Sequence, residues 1–229
     1  MTGLSVKVWF GEISITEADY PYQISLLNEN EQRQADNFKN DLLRRRYVAN
    51  RAKLREILAQ IVNCNPASLR FEIAQHGKPY LGDHPEIEFN LSHTGNKIAV
   101  AIGHRCQVGI DIELCKTRSS LSALVEKCFD QEEKNYWQQL PESLKPQEFY
   151  RFWTRKEAFV KATGRGIALG LTSCVINPNQ PSTFLRIPAE FGLPSEWRIH
   201  NMSDLNDTSI VGALVIKTDK KLSIEQLLI

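Results

Sequence analysis

The chain has 229 residues, of which 42% are apolar and 24% are charged, and its formal net charge is +1. This length suits one large domain or two small ones, and the composition is that of an ordinary globular protein with a real core. The near-neutral charge gives no general attraction to nucleic acid, so we expect no nucleic-acid partner.

The first predicted element is a strand, because Val6, Val8 and Phe10 alternate with polar residues. A long helical region from about 30 to 62 follows, with apolar residues at helical spacing and an arginine-rich polar side. Asn65-Pro66 has the pattern of a further helix start. The rest of this half is predicted as a strand over 69–73, a turn at Gly77-Lys78-Pro79, and strands over 87–91 and 97–103.

The second half repeats this order of elements. A strand over 108–114 precedes helices around 121–140 and 146–163, and strands follow near 171–176, 183–187, 197–201 and 209–217. We therefore predict an α+β fold with a pseudo-twofold duplication, built from an N-terminal half, 1–106, and a C-terminal half, 107–229. The functional cleft is expected between the two halves.

The cysteines and the N-terminus indicate a cytoplasmic location. The five cysteines form no C-x-x-C pair, which argues against a disulfide framework or a zinc site. Residues 1–10 lack a basic segment followed by an apolar core, and no uncharged apolar run approaches the length of a membrane span. We expect a cytoplasmic protein with no membrane partner.

Acidic residues at two sites suggest the chemistry. Asp111 and Glu113 are two positions apart on a predicted strand and therefore share one face, which is also common for a solvated outer strand. Glu157 and Lys161 are four apart on a predicted helix and share a face as well. Three carboxylates with a nearby cation favour magnesium, which prefers oxygen ligands and often completes its shell with phosphate oxygens. Phosphoryl transfer is the favoured reaction class.

Two segments at this spacing resemble the signature of the Sfp-type 4'-phosphopantetheinyl transferases, a superfamily that includes Gsp-, HetI- and AcpT-like proteins. That signature is a G-[IV]-D-[IV]-E strand followed by W-x-x-K-E-[AS]-x-x-K-x-x-G. The segments here read Gly109-Ile-Asp111-Ile-Glu113 and Trp153-Thr-Arg-Lys156-Glu157-Ala-Phe-Val-Lys161-Ala-Thr-Gly164. The similarity extends to Gly77-Lys78-Pro79, Asn90-Leu-Ser92-His93 and Gly164-Arg-Gly166-Ile, so it covers most of the chain. Together these motifs are highly specific.

The resemblance implies a holo-carrier-protein synthase. Such an enzyme transfers the 4'-phosphopantetheine moiety of coenzyme A to a serine hydroxyl of an apo carrier protein and releases 3',5'-ADP. The implied cofactor is Mg²⁺, with Mn²⁺ as a substitute, and coenzyme A is a substrate. The implied protein partner is an apo acyl carrier protein or a peptidyl or polyketide carrier domain, and the implied architecture is a monomeric pseudodimer.

The resemblance also assigns roles around the ion. Asp111, Glu113 and Glu157 would hold the metal. Glu157 would be a ligand, the base that accepts the serine proton, or both. Lys161 would be catalytic and contact phosphate oxygens, and Lys156 would contact them from its neighbouring position.

Coenzyme A would contact residues from both halves, most of them in the first. Arg46 matches an arginine that meets the nucleotide phosphate, and Arg33 matches a basic position less securely. The predicted coenzyme A contacts are Arg33, Arg46, Gly77, Lys78, Pro79, Asn90, Ser92, His93, Lys156 and Lys161. A looser F-x-x-x-E feature, Phe129 with Glu133, would shape the carrier side of the cleft, whereas Phe149, Phe152, Trp153 and Phe159 are assigned to helix packing.

Two other functions use the same residues. A magnesium-dependent nucleotide phosphohydrolase would employ the carboxylates with water as the nucleophile. A coenzyme A-binding or carrier-docking module without catalysis would retain the cleft, but the complete acidic triad argues against it.

Overall fold

The computed structural model describes residues 3–116, 120–202 and 209–229. Within these ranges the first half contains five strands and three α-helices. They are β1 (Leu4–Glu12), α1 (Tyr20–Ser25), α2 (Glu29–Asp36), α3 (Asp41–Val62), β2 (Phe71–Ile73), β3 (Pro79–Leu81), β4 (Ile87–Thr94) and β5 (Lys97–His104).

The described part of the second half contains six strands and three α-helices. They are β6 (Val108–Leu114), α4 (Leu121–Cys128), α5 (Gln131–Gln139), α6 (Lys145–Thr163), β7 (Val175–Ile176), β8 (Phe184–Arg186), β9 (Trp197–Asn201), β10 (Ile210–Lys217) and β11 (Leu222–Leu228).

The two main sheets have the same strand order. In the first sheet, β1 pairs antiparallel with β5, and β5 pairs antiparallel with β4. In the second sheet, β6 pairs antiparallel with β10, and β10 pairs antiparallel with β9. The predicted α+β fold with a duplicated order of elements is therefore confirmed. The additional strand β11 pairs parallel with β1, so the end of the chain adds a fourth strand to the first sheet.

Three apolar clusters divide the protein into four layers. One cluster joins α3 to the first sheet, a second lies between the two sheets, and a third joins the second sheet to α6. Alternation along β6 explains how it serves two layers: Val108, Ile110 and Ile112 enter the cluster between the sheets, while the residues between them face α6. Asp111 and Glu113 consequently lie on the side of β6 that α6 covers.

The predicted elements differ from the observed ones in several places, and the helix α1 (Tyr20–Ser25) and the short strand β3 (Pro79–Leu81) were not predicted. The predicted helix over 30–62 is two helices, because Asn40 caps a new start and accepts a hydrogen bond from Leu43 N at 3.0 Å. Asn65 and Pro66 do start a helix, but it is a single 3₁₀ turn, Pro66–Ser68. The strand β11 was not predicted. Among the described residues, no helix is both long enough and apolar enough to cross a lipid bilayer.

Candidate active site

Gly109 allows the acidic strand and the long helix to touch. A Cβ atom at this position would lie 2.0 Å from Ala158 O and 2.4 Å from Ala162 N, closer than atoms can approach. Any larger residue would push α6 away from β6. The glycine of the G-I-D-I-E segment therefore sets the distance between the two elements that carry the acidic residues.

The helix α6 presents Glu157 and Lys161 toward β6 from one face. Pro146 lies in its first turn, where a proline costs no hydrogen bond, and Gly164 ends it in the left-handed conformation with φ of 71°. Ala158 and Ala162 are buried against β6, so the helix approaches through small side chains. Glu157 and Lys161 are brought to the acidic face as a result.

All four predicted catalytic and metal-binding residues line one cavity of about 340 Å³. It lies between the two halves, with β4 on one side and β6 and α6 on the other. Its lining residues are Leu91, Ser92, His93, Asp111, Glu113, Trp153, Glu157 and Lys161. Trp153, assigned from the sequence to helix packing, contacts Phe149 at 5.7 Å between ring centroids and also forms part of this wall.

A hydrogen-bonded group of three side chains forms the floor of the cavity. The Lys161 ammonium donates to Asp111 Oδ1 at 2.6 Å, to Ser92 Oγ at 3.1 Å and to Ile110 O at 3.3 Å. The Ser92 hydroxyl donates to Asp111 Oδ1 at 2.8 Å. Charge-assisted hydrogen bonds of this kind fix both the lysine and the carboxylate.

Burial changes the acidity of two carboxyls in this group. Burial raises the pKa of Asp111, although Lys161 and Ser92 act in the opposite direction. Burial also raises the pKa of Glu157, and the negative charge of Asp111 adds to that effect. A carboxylate whose pKa is raised is a stronger proton acceptor, which suits Glu157 to a role as a general base.

The donor atoms suit a hard divalent cation. Asp111 Oδ2 is buried and has no hydrogen-bond partner within the described ranges, and Glu113 and Glu157 line the same cavity. Magnesium prefers such oxygen ligands. However, no three or more His, Cys, Asp or Glu side chains of the described residues lie close enough together to form a ready metal cluster. The chemistry of the donors fits the ion, while the positions of the carboxylates would have to adjust around it.

A second cavity, of about 530 Å³, adjoins the first through Leu91 and His93. Arg46 from α3 lines it, and Arg46 Nε donates to Asn96 Oδ1 at 3.2 Å. Desolvation of the His93 ring lowers its pKa, and the positive charges of Lys161 and Arg46 act in the same direction. Arg46 gives this cavity a cationic wall suited to phosphate, and the neutral His93 ring can donate a hydrogen bond beside it.

A third cavity, of about 330 Å³, lies at the C-terminal end of α6. Lys78 and Pro79 line it together with Gly164, and Gly77 has a φ of 90°, which a glycine adopts without strain. The Lys78 ammonium donates to Glu88 Oε2 at 3.1 Å, to Val108 O at 3.3 Å and to Ala162 O at 3.2 Å. Lys78 therefore connects the turn in the first half with β6 and α6 in the second.

The geometry does not support the predicted phosphate contact of Lys156. Its side chain is fully buried, with the ammonium 2.7 Å from Glu133 Oε2, and it also donates to Leu171 O and Cys174 O. Glu133 is equally buried and accepts from Ile176 N at 2.7 Å. This pair joins α5 to α6 and lines none of the three cavities, so Glu133 stabilises the fold here.

Two further predicted contacts also lie elsewhere. The Asn90 amide oxygen accepts a hydrogen bond from Ile110 N at 2.8 Å, and Asn90 is absent from the lining of the three cavities described above. Arg33 is exposed on α2, donates to Asn30 Oδ1 at 2.6 Å and is likewise absent from those linings. The structure brings neither residue to a cavity.

Thr94 and Asn96 were missed in the sequence. Thr94 Oγ1 accepts from Leu114 N at 3.2 Å and lines the cavity beside Arg46, while Asn96 orients Arg46. Thr94 continues the polar alternation of Asn90 and Ser92, so the period of two along β4 was the signal that could have identified it.

Comparison with known proteins gives consistent matches along the chain. The model of the 4'-phosphopantetheinyl transferase superfamily matches residues 107–214, and the model described as 4'-phosphopantetheinyl transferase, N-terminal, matches residues 13–104. The 4'-phosphopantetheinyl transferase HetI of Nostoc sp. is 34% identical over 195 residues, which cover 82% of each chain.

Two more distant relatives carry the same activity in their names. The 4'-phosphopantetheinyl transferase Sfp of Bacillus subtilis is 28% identical over 127 residues, covering 56% of this chain and 55% of its own. A phosphopantetheinyl transferase of Thraustochytrium sp. is 26% identical over 212 residues, covering 82% of this chain and 70% of its own. Since both halves match family models and a relative above 30% identity spans most of the chain, the protein belongs to the 4'-phosphopantetheinyl transferase superfamily and is a transferase of the Sfp and HetI type.

Proposed function

We propose that this enzyme transfers 4'-phosphopantetheine from coenzyme A to a serine hydroxyl of an apo carrier protein, with magnesium, and releases 3',5'-ADP. One observation carries the proposal: a single cavity between the halves is lined by Asp111, Glu113, Glu157 and Lys161. Three carboxylates beside an ammonium suit a metal-bound pyrophosphate better than a neutral ligand.

Glu157 acts as the general base in this proposal. Its raised pKa, caused by burial and by Asp111, favours acceptance of the serine proton, directly or through a water. The serine Oγ forms a bond to the phosphorus that carries pantetheine, and the bond from that phosphorus to the bridging oxygen breaks. The 3',5'-ADP leaves with the bridging oxygen.

Lys161 stabilises the charge that this reaction builds up. Its ammonium lies at the cavity floor against Asp111 and Ser92, within reach of a phosphate placed above them. Asp111, Glu113 and Glu157 would hold the magnesium ion. The ion, when bound, supplies positive charge that neutralises the pyrophosphate as the bond breaks.

The nucleotide part of coenzyme A would extend from this cavity along the first half, 1–106. Arg46 and His93 at the adjoining cavity would bind a phosphate, and the turn Gly77-Lys78-Pro79 would lie near the adenine or its ribose. The second half, 107–229, would supply the metal-binding and catalytic side chains. Since one chain carries both halves, we propose that it works as a monomer, in the cytoplasm, on a fatty acid, polyketide or nonribosomal peptide carrier.

Release of 3',5'-ADP separates this proposal from hydrolysis by the same carboxylates. The protein is incubated with coenzyme A and magnesium, with and without an apo carrier protein, and the nucleotide is quantified by chromatography. Release that requires the carrier supports transfer. Equal release without carrier would favour a phosphohydrolase instead.

A further inference from the structure

The strand β6, which carries Asp111 and Glu113, has one edge paired with β10 and the other facing β4. Along the edge that faces β4, its backbone N–H groups donate to side chains. Ile110 N donates to Asn90 Oδ1 at 2.8 Å, Ile112 N to Ser92 Oγ at 3.2 Å, and Leu114 N to Thr94 Oγ1 at 3.2 Å.

The carbonyl groups of the same edge also have side-chain partners. Val108 O accepts from Lys78 Nζ and Ile110 O from Lys161 Nζ, each at 3.3 Å. Five side chains thus form the hydrogen bonds that a neighbouring strand would otherwise make with this edge. We refer to them as the β6 edge clamp: Lys78, Asn90, Ser92, Thr94 and Lys161.

The spacing of the clamp matches the geometry of the strand. Alternate residues of β4 point to one face, and alternate N–H groups of β6 point to one edge, so three side chains at i, i+2 and i+4 meet three N–H groups in register. A strand edge left without partners inside a protein is costly. The two carboxylates alternate with the three clamped amides, so any slide or twist of β6 displaces both of them.

We infer that Asn90 and Thr94 are positioning residues that hold Asp111 and Glu113 at the cavity through the backbone of β6. The catalytic consequence of the inference rests on the proposed function. The hydrogen bonds of the clamp do not depend on it. It gives Asn90 a role different from the coenzyme A contact that the sequence predicted. Lys78, Ser92, Thr94 and Lys161 also line cavities, so Asn90 is the member that isolates the effect of position. At Thr94 the serine variant, which keeps the hydroxyl, makes that separation.

Matched substitutions test the inference. Asn90→Leu keeps the approximate size of the side chain and removes the acceptor for Ile110 N. Thr94→Val removes the acceptor for Leu114 N, whereas Thr94→Ser keeps a hydroxyl oxygen there. Amide hydrogen exchange of residues 108–114 reports the clamp, and the dependence of transfer on magnesium and coenzyme A concentration reports its consequence.

For Asn90→Leu and Thr94→Val we expect amide exchange in β6 that is about tenfold faster, because a buried donor loses its partner. We also expect a kcat about tenfold lower and a higher magnesium requirement for both variants. For Asn90→Leu, which changes no residue of the three cavities, the KM for coenzyme A should change less than about twofold. Thr94→Ser should restore exchange and kcat. If Thr94→Ser is as defective as Thr94→Val, or if both acceptor-free variants match the wild type, the inference is overturned.

The two readouts also separate this inference from the proposed function. If the wild type modifies no carrier but the variants still exchange their β6 amides faster, the clamp is supported and the proposed function is wrong. Normal transfer by Asn90→Leu and Thr94→Val in a protein that does modify carriers would end the inference and keep the function.

Discussion

The Lys156 ammonium lies 2.7 Å from Glu133 Oε2, and both side chains are completely buried between α5 and α6. Removing one partner of such a pair leaves a buried charge without compensation. We expect Lys156→Met to lower the free energy of unfolding by about 3 to 5 kcal/mol. Urea denaturation followed by circular dichroism measures this change.

Two further variants control this prediction. Lys156→Met combined with Glu133→Gln removes the uncompensated charge and keeps an acceptor for Ile176 N, so it should recover part of the lost stability. Lys134 pairs with Glu126 at 2.9 Å near the surface, and Lys134→Met should cost less than about 1 kcal/mol. Unchanged stability of Lys156→Met, together with a raised KM for coenzyme A, would restore the phosphate-binding role.

Replacing Lys161 should change both the handling of coenzyme A and the titration of His93. Lys161→Met removes a cation from the cavity floor, so we expect a KM for coenzyme A that is about tenfold higher or more. In the wild type the positive charge of Lys161 disfavours the charged form of His93. Without that charge the pKa of His93 should rise, as measured by NMR titration.

In the wild type, the lowered pKa of His93 makes the free energy of unfolding depend on pH. Its pKa is lowered on folding from the ordinary value of 6.5, so its destabilising contribution is absent above that pH and grows as the pH falls through 6.5 toward the folded pKa. Lys53→Met, on the far part of α3 beside Glu56, serves as the control and should leave the His93 titration unchanged. A His93 pKa unaffected by Lys161→Met would show that the two groups do not interact.

Loss of the ion or of Asp111 should stop turnover. We expect a chelator to abolish transfer and added magnesium to restore it, because the carboxylates alone cannot neutralise a pyrophosphate. Asp111→Asn should reduce turnover by about a hundredfold or more, whereas Asp219→Asn, at an exposed position, should leave it unchanged. Near-normal turnover of Asp111→Asn at limiting magnesium would remove Asp111 from the site.

The cysteines should differ sharply in reactivity. All five are free thiols, and Cys64 is the exposed one. Burial raises the pKa of Cys106 to about 11 and that of Cys174 to about 12, so their reactive thiolates are scarce at neutral pH. A thiol reagent at pH 8 should give a single fast phase that Cys64→Ser removes. In urea all five should react, and rapid labelling of Cys174 in the folded protein would contradict its burial.

The local elements were predictable because their patterns are local. Alternation at Val6, Val8 and Phe10 predicted β1, and the same period predicted the strand that carries Asp111. The strand β11 was missed because two consecutive leucines, Leu227 and Leu228, break its alternation and its partner is at the other end of the chain. Pairing over such a sequence distance leaves no local signal.

The sequence predicted which site residues share a face of a strand or helix, but not which residues of other elements they contact. Spacing placed Asp111 with Glu113, and Glu157 with Lys161, on common faces. Lys156 follows one residue before Glu157, yet consecutive residues on a helix point about 100° apart, so it lies against Glu133 and not in the cavity. The direction in which each face points depends on how the helices and sheets pack together. The hydrogen bond from Ile110 N to Asn90 also depends on this packing.

The intact mass of a carrier protein gives the most direct test of the proposed transfer. Apo acyl, peptidyl and polyketide carriers are each incubated with coenzyme A, magnesium and the wild-type enzyme, and in parallel with Glu157→Gln, which keeps the size of the side chain but lacks the base. We predict that the wild type adds one phosphopantetheine unit to at least one carrier, and that Glu157→Gln does so at a rate reduced by about a hundredfold or more. No mass gain on any carrier, or equal gain with both enzymes, would contradict the account.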